Sequence, residues 1–384
     1  MHILLIPSDY PSKLNLRAGI YVHDQAQALH RAGHQIGVLV EPRLPVTLAH
    51  LRRGGAVRAI TVEDYLPEFS VYRMHLGWTP RVLPLLHAAL VSLVGRAAYR
   101  RYCQEHGQPD IIHAHNVFYG GLLAARIRDR WPVPVVLTEH SSSYGKGLIF
   151  LPGQHIVARY TLRHVDKVLT VGPGLVAALG RYMDSTAIEI IENMVDVDFF
   201  SPVPWSDSAF TFVMAGNLNK NKAQHIALEA FEQAFHGQNV RLILAGDGDQ
   251  RSALEAFVMA KGLQDQVKFV GWLNRDGLRD LLRHSHAVVS PSRVETFGLT
   301  LAEAMACGKP VISTRSGGPE SFVNADNGLL VPPDDAGAMA AAMQQMIERY
   351  DRYSPDAIRA ACVRRFSTET VVRHLETVYR GAMQ

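Results

Sequence analysis

Cysteine is scarce in this 384-residue chain: Cys103, Cys307 and Cys362 are the only three. Their wide spacing offers neither a metal-binding pattern nor a disulfide framework, so the expected setting is a reducing cytoplasm. Long apolar runs are missing as well. The longest, Val82 to Val94, falls short of the roughly 20 residues a membrane span needs and contains Pro84 and His87. The opening "MHILLIPSDY" lacks a basic start and is broken by Pro7, so it reads as a buried first strand and not as a signal peptide. A net charge of only +3 argues against a nucleic-acid partner. No G-x-x-x-x-G-K-[ST] loop occurs, which removes the common nucleotide hydrolases, and "AGDGDQ" carries G-x-G without a third glycine, which leaves a dinucleotide oxidoreductase poorly supported. Repeats and low-complexity tracts are absent.

What is present is an alternation of short β-rich runs and helical stretches. "HILLI", "QIGVLV", "DIIHAH", "VPVVLTEH" and "DKVLTVG" form a first series; "FTFVMAG", "VRLILAGDGD", "QVKFVG", "HAVVSPS" and "KPVISTRSGG" form a second. These runs are almost continuously apolar, so both strand faces are buried, as in parallel sheets covered by helices. Between the series, "DVDFFSPVPWSDS" (196–208) holds two prolines and no helical period, and reads as a linker. The expectation is an α/β protein of two doubly wound, Rossmann-like domains, 1–198 and 199–365, with ligands at the strand C-termini facing a cleft. Residues 366–384 form an amphipathic helix starting at Ser367 or Thr368, with Val371, Val372, Leu375, Val378 and Tyr379 on its apolar face. Charge is uneven: from Arg43 to Tyr102, nine Lys or Arg stand against Glu63, Asp64 and Glu68. That surplus suits either a solvated surface or an anionic membrane.

The stretch "SPSRVETFGLTLAEAMACGKPVIST" (290–314) carries the most chemistry. A strand runs into a turn, and a helix follows Gly298 and stops at Gly308. A glycine at a helix start lets a ligand approach the backbone, and the N–H groups of Gly298, Leu299 and Thr300 suit a phosphate or diphosphate. Glu295 and Glu303 beside such a site are poor phosphate ligands and good acceptors for sugar hydroxyls. Two plainer readings stand beside this one: Thr300 and Glu303 fit a capping box, and Glu295 fits an exposed loop.

The order "PSxxExFGLxxxEAMAxGxPVI" followed by "GGPE", with "RAGH", "IIHAH", "TEHSS", "IIENMVDVDFFSP" and "LAGDGD", resembles the family-4 glycosyltransferases, retaining nucleotide-sugar enzymes of GT-B fold. The spacing from Glu295 to Glu303 is that family's EX7E motif. The resemblance implies that Glu303 binds the ribose of the nucleotide and Glu295 the C3 and C4 hydroxyls of the transferred sugar. It places the N–H groups of Gly298 and Leu299, with Thr300 beside them, on the diphosphate. Lys222 in "GNLNKNKA" matches the phosphate-binding lysine of "GRLxxxKG"; the usual Arg is here Asn217 and the usual Gly is Ala223. Asn cannot supply the charged fork of Arg, and Lys220 is a candidate replacement. Gly317 and Gly318 match a second loop approaching the donor, and Gly19 opens the first loop near its phosphates.

In the first series His113 and His115 alternate along one strand and share a face. An H-x-H pair can bind metal, but no third ligand is marked nearby. The resemblance places His115 beside the donor sugar and His140 on the acceptor side; His113 reads equally as an acceptor-side or a packed core histidine. Asp196–Asp198 and Asp247–Asp249 are Asp-x-Asp tripeptides that read as incidental, so no metal or other cofactor is expected. The implied reaction is same-face substitution: the donor's own phosphate oxygen takes the acceptor proton, and Lys222 with the helix N-terminus stabilises the leaving diphosphate. The implied partners are a nucleotide sugar, UDP before GDP, and a saccharide or lipid-linked acceptor, with contact to the inner face of an anionic membrane. An epimerase or hydrolase on the same scaffold, and a silent sugar-nucleotide-binding protein, are the rival readings.

Overall fold

The computed structural model describes residues 1–12, 15, 18–40, 60–63, 69–74, 84–144, 146, 147, 149, 151–205 and 207–384. The chain forms two compact units. The first comprises Met1–Val171, Leu175–Ile191 and Val371–Gln384; the second comprises Gly172–Gly174 and Glu192–Thr370. The passage between them lies at 191–192, ahead of the linker expected at 196–208. Residues after 192 belong to the second unit because they are fastened to it: Val195 N–H donates to Phe366 O at 2.7 Å, and the Arg359 guanidinium donates to the carbonyls of Val197 and Phe200.

The first unit is built on strands β1 (His2–Ile6), β2 (Gln35–Val40), β3 (Ile60–Glu63), β4 (Val71–Met74), β5 (Ile111–His115), β6 (Val135–Glu139), β7 (Lys167–Thr170) and β8 (Ile188–Ile190). Their order across the sheet is β3-β4-β2-β1-β5-β6-β7-β8. Every pairing is parallel except β3 with β4. The second unit holds β9 (Phe210–Ala215), β10 (Val240–Ala245), β11 (Val267–Gly271), β12 (Ala287–Ser290), β13 (Val311–Thr314) and β14 (Gly328–Val331), in the order β11-β10-β9-β12-β13-β14, all parallel. In each sheet the chain proceeds outward from one strand, then returns and proceeds the other way. The reversal lies between β1 and β5 in the first unit and between β9 and β12 in the second. At such switch points the loops leave in opposite directions and open a crevice at the strand C-termini.

Helices cover both faces: α1 (Ile20–Arg31), α2 (Pro84–His106), α3 (Leu122–Arg128), α4 (Pro152–Arg163) and α5 (Pro173–Leu179), then α6 (Gln224–Phe235), α7 (Arg251–Ala260), α8 (Arg275–Arg283), α9 (Leu299–Ala306), α10 (Ala336–Glu348) and α11 (Pro355–Phe366). Burial from both sides explains why the strands read as continuous apolar runs. Ile3, Leu4, Leu5 and Ile6 of β1 are all fully buried, and so are Val135, Val136 and Leu137 of β6. Each such side chain stabilises by about 1.5–3 kcal/mol relative to exposure. The apolar run at 82–94 enters α2 at Pro84, and no helix among the described residues is long and apolar enough to cross a membrane. Of the basic surplus, Arg43, Arg52, Arg53, Arg58 and Arg81 lie outside the described residues. Arg73 is paired with Glu63 at 2.9 Å, and Arg101 with Glu105 at 2.8 Å.

The last helix, α12 (Thr368–Ala382), buries Val371, Val372, Leu375, Val378 and Tyr379, the residues its period marks. It packs on the first unit through polar contacts too: Tyr379 Oη lies 2.7 Å from His113 Nδ1, and Glu376 Oε1 lies 2.9 Å from His34 Nε2.

One irregular element stands at the first switch point. After β5 the chain enters a π-helical turn, Asn116–Gly121, with Asn116 in the left-handed region at φ 67°. The turn rides so close to β1 that a Cβ on Gly120 would stand 1.9 Å from the carbonyl oxygen of Ile6. Gly120→Ala is therefore expected to cost roughly 3 kcal/mol or more in unfolding free energy, through forced backbone displacement. Gly107→Ala meets open space at φ 85° and carries only the strain of that backbone, about 1–2 kcal/mol. Denaturant unfolding of the two variants checks the ranking, and equal losses would contradict it.

Candidate active site

In the second unit, the site grows from the C-terminal ends of β9 and β12. Helix α9 begins at Leu299 with Gly298 as its N-cap, at φ 103° and ψ 51°, and no side chain caps it. Thr300 is already the second helical residue, so the Thr300–Glu303 capping box does not form. Glu303 lies one residue into the second turn and not in the first. The first carbonyl of the helix, that of Gly298, accepts from Leu301 and Ala302 at 2.9 and 3.2 Å. No described acceptor takes the N–H groups of Gly298, Leu299 or Thr300, the ordinary state of an uncapped helix start and one that can receive an anion.

Lys222 and Glu295 meet in front of this helix start, with Nζ and Oε2 2.5 Å apart. Together with Ala215, Ser290, Gly298, Leu299 and Thr300 they line a cavity of about 130 Å³. Two loops hold the pair in register. Asn219 Oδ1 accepts from the N–H groups of Asn221 and Lys222, both at 3.0 Å, which winds the lysine loop tightly. Asn221 then staples that loop to the glutamate loop: its Nδ2 donates to Val294 O at 2.9 Å, and its carbonyl accepts from Arg293 N–H at 2.8 Å. The backbone of Glu295 pairs in turn with the glycine loop, donating to Ser316 O at 2.9 Å and accepting from Gly318 N–H at 2.8 Å. Gly318 has to be glycine, because a Cβ there would stand 2.5 Å from Phe297 N. Gly317 adopts φ 112°. The structure thus brings Lys222, Glu295, Gly298, Leu299 and Thr300 to one cavity and anchors Gly317 and Gly318 to Glu295. Glu303 is half-buried on α9, one turn beyond Leu299 on the same face. Asn217 is exposed and outside the cavity lining, and its carbonyl accepts from Gln224 Nε2 at 3.0 Å.

In the first unit, the candidate histidines cluster at the ends of β5 and β6. His113 is fully buried with both ring nitrogens occupied: Nδ1 faces Gln25 Nε2 at 3.0 Å and Tyr379 Oη at 2.7 Å, and Nε2 faces Thr138 Oγ1 at 2.7 Å. Its packing is that of a core histidine, with neither ring nitrogen left free. His115 is also fully buried. Its Nδ1 lies 3.0 Å from His140 Nε2, while its Nε2 has no hydrogen-bond partner among the described residues. His140 contacts the Tyr21 ring at a centroid distance of 4.5 Å. Gly19 caps α1 at φ 62°, where a Cβ would stand 2.0 Å from Asp9 O. Residues 13, 14, 16 and 17 of its loop lie outside the described residues.

Several residues of the site carried no role in the sequence reading. Asn219 and Asn221 were signalled only by the asparagine-rich run "NLNKN". Glu139, inside "TEHSS", is a fully buried carboxylate lining a second cavity of about 280 Å³ with Asn116, Phe118, Tyr119, Ser141 and Ser143 among its neighbours. Among the described residues, no group of three or more His, Cys, Asp or Glu side chains is placed to hold a metal ion.

Residues 18–199 match the model described as Glycosyltransferase Family 4, and residues 198–361 match that for Glycosyl transferases group 1. A glycogen synthase of Mycobacterium tuberculosis is 27% identical over 91% of this chain and 86% of its own length. The chain belongs to the family-4 glycosyltransferases. Among solved structures, HepE of Anabaena in complex with UDP has a TM-score of 0.77 at 19% identity, covering 99% of this chain and 100% of that one. The lipopolysaccharide outer core galactosyltransferase WaaB has a TM-score of 0.74 at 17% identity, covering 99% of each. The fold of this family-4 enzyme is accordingly GT-B, and its activity is retaining transfer from a nucleotide sugar, in a family that is generally metal-independent.

Burial shifts the titration of three groups in the first unit in opposite directions. It lowers His113 to about 3 and His115 well below the ordinary histidine value, the latter with help from His113 and His140. It raises Glu139 to about 7, against the pull of three backbone N–H donors. As pH falls below about 6.5 the unfolded chain protonates both histidines while burial keeps them neutral in the fold, so both remove stability; His113, at about 3, removes about 1.4 kcal/mol per pH unit between roughly pH 4.5 and 6.5. Glu139 opposes this: it is protonated in the fold and ionised when unfolded, which returns about 1.4 kcal/mol per unit. Glu139→Gln should therefore lose stability more steeply below pH 6.5 than the wild type, by about 1.4 kcal/mol per unit. Urea unfolding at pH 5 and 6 measures both slopes, and a variant no steeper than wild type contradicts the assignment.

Proposed function

We propose that this enzyme transfers a hexosyl or related sugar from a UDP-sugar to a saccharide carried on a lipid, in the assembly of a surface polysaccharide or glycolipid at the inner membrane face. The observation that carries the donor half of this reading is the bare N-terminus of α9 beside the Lys222–Glu295 pair. A diphosphate set against Gly298 and Leu299 would accept their N–H groups and draw Lys222 Nζ away from Glu295. Released from the lysine, the Glu295 carboxylate would be free to accept the C3 and C4 hydroxyls of the sugar. Glu303, one turn further along the same helix face, would accept the ribose hydroxyls, and His115, neutral in its buried setting, would hydrogen-bond a sugar hydroxyl.

In this arrangement catalysis comes from position and charge. As the bond to the anomeric carbon lengthens, negative charge grows on the leaving diphosphate, where Lys222 and the positive end of α9 are already aimed. The acceptor oxygen approaches on that same face and passes its proton to the departing phosphate oxygen, so configuration is retained without a protein nucleophile. The choice of UDP is supported by HepE, solved with UDP on a closely similar fold. The lipid-linked acceptor is supported by WaaB, which acts on a lipopolysaccharide core, and by the basic surplus between Arg43 and Tyr102.

A thermal-shift panel of UDP, GDP and ADP tests the donor reading. UDP at about a hundred times its dissociation constant should stabilise the wild type by roughly 2.7 kcal/mol, and Glu303→Ala should lose most of that. A larger response to GDP or ADP would replace the base, and an undiminished Glu303→Ala response would remove the ribose role. Vesicle flotation tests the acceptor side: binding is expected to vesicles containing phosphatidylglycerol at low salt and to be lost at high salt. Equal recovery with neutral vesicles, or none with either, would contradict the membrane contact.

A further inference from the structure

The first unit buries a carboxylate that none of the roles above employs. Glu139, the last residue of β6, is completely enclosed, and among the described residues no Lys or Arg pairs with it. Enclosing an anion without a counter-charge costs several kcal/mol unless hydrogen bonds replace its water. Here three backbone N–H groups do so. Oε2 accepts from Val117 at 2.8 Å, and Oε1 accepts from His140 at 2.9 Å and Ser141 at 2.6 Å.

Those donors belong to two different loops. Val117 lies in the π-helical turn that follows β5, and His140 and Ser141 open the loop that follows β6. A helical turn leaves its first N–H groups without partners inside the turn, and the carboxylate on the neighbouring strand takes one of them. The same two loops are joined a second time through Asn116, whose Oδ1 accepts from His140 N–H at 3.3 Å and whose Nδ2 donates to Ser8 Oγ at 3.2 Å. Ser8 Oγ in turn donates to the carbonyl of His115 at 3.0 Å. His115 and His140 thus face each other at 3.0 Å across a junction that Glu139 ties together.

We propose that Glu139 is a positioning residue: its carboxylate, shared between the loops after β5 and β6, sets the spacing of His115, Asn116 and His140. The carboxylate geometry is needed because each oxygen serves a different loop. Glutamine has the same size but a single acceptor oxygen, and its NH2 would confront an N–H of the loop left unserved. A residue that merely fills space would accept this change. The inference holds whichever nucleotide the donor carries.

The test is amide hydrogen exchange on the full chain at pH 8, comparing wild type with Glu139→Gln. Exchange in 116–121 or 140–144 should rise about tenfold or more, the counterpart of one charge-assisted hydrogen bond lost, while β5, β6 and the second unit exchange as before. The ring nitrogen resonances of His115 and His140 should move together in the same variant. Unchanged loop exchange with unchanged ring resonances would reduce Glu139 to packing, and a rise spread evenly through the unit would make it a residue of general stability. Should Glu139→Gln fail to fold, the wild type alone decides. Val117, His140 and Ser141 amides as slow as those of β6 support the latch, and all three as fast as an exposed loop overturn it.

Discussion

Everything chemical in this protein hangs on the point where each parallel sheet reverses its strand order. A parallel sheet directs all its strand C-termini to one edge, and the reversal between β1 and β5, and again between β9 and β12, parts the loops there. The parting leaves backbone N–H groups that no regular hydrogen bond can take. In the second unit those groups are the start of α9, held open by a glycine cap. In the first they belong to the π-helical turn and the loop after β6, and a buried carboxylate takes them. The same topological fact therefore leaves an open helix start in one unit and a buried carboxylate set against loop N–H groups in the other.

Around the open helix start, the protein has spent polar side chains on geometry more than on charge. Lys222 and Glu295 neutralise each other, and asparagine side chains and backbone hydrogen bonds fix the loops that carry them. A mutually paired lysine and glutamate remain ready to change partners, since a diphosphate offers the lysine a stronger anion and a sugar offers the glutamate hydroxyl donors. Under the proposed function, that exchange would let one small cavity take both the diphosphate and the sugar. It also accommodates Asn217, which is exposed and outside the cavity lining.

Much of this was legible in the sequence, and the reasons are physical. Strands buried on both faces must be apolar throughout, so "HILLI" and "VPVVLTEH" announced a covered parallel sheet, and the period of Val371, Val372, Leu375, Val378 and Tyr379 marked the buried face of the final helix. Gly298, with Glu295 before it and Glu303 after it, marked the open helix start because only glycine adopts that cap freely. The edge strands β3, β8 and β14, partly exposed, and β4 beside β3 escaped notice, all being only three or four residues long. The capping-box reading of Thr300 failed because Gly298 starts the helix two residues earlier. Asn219, Asn221 and Glu139 were invisible for a different reason: their partners lie on other loops, and a residue that works by reaching across to another loop leaves no periodic trace.

The central claim is that the N-terminus of α9, with Lys222 and Glu295, is built for a diphosphate. A crystal structure with a bound nucleoside diphosphate tests it most directly. The account predicts the distal phosphate within about 3 Å of the Gly298 and Leu299 N–H groups, with Lys222 Nζ turned from Glu295 onto a phosphate oxygen. A nucleotide seated elsewhere, with the Lys222–Glu295 contact intact at 2.5 Å, would contradict it.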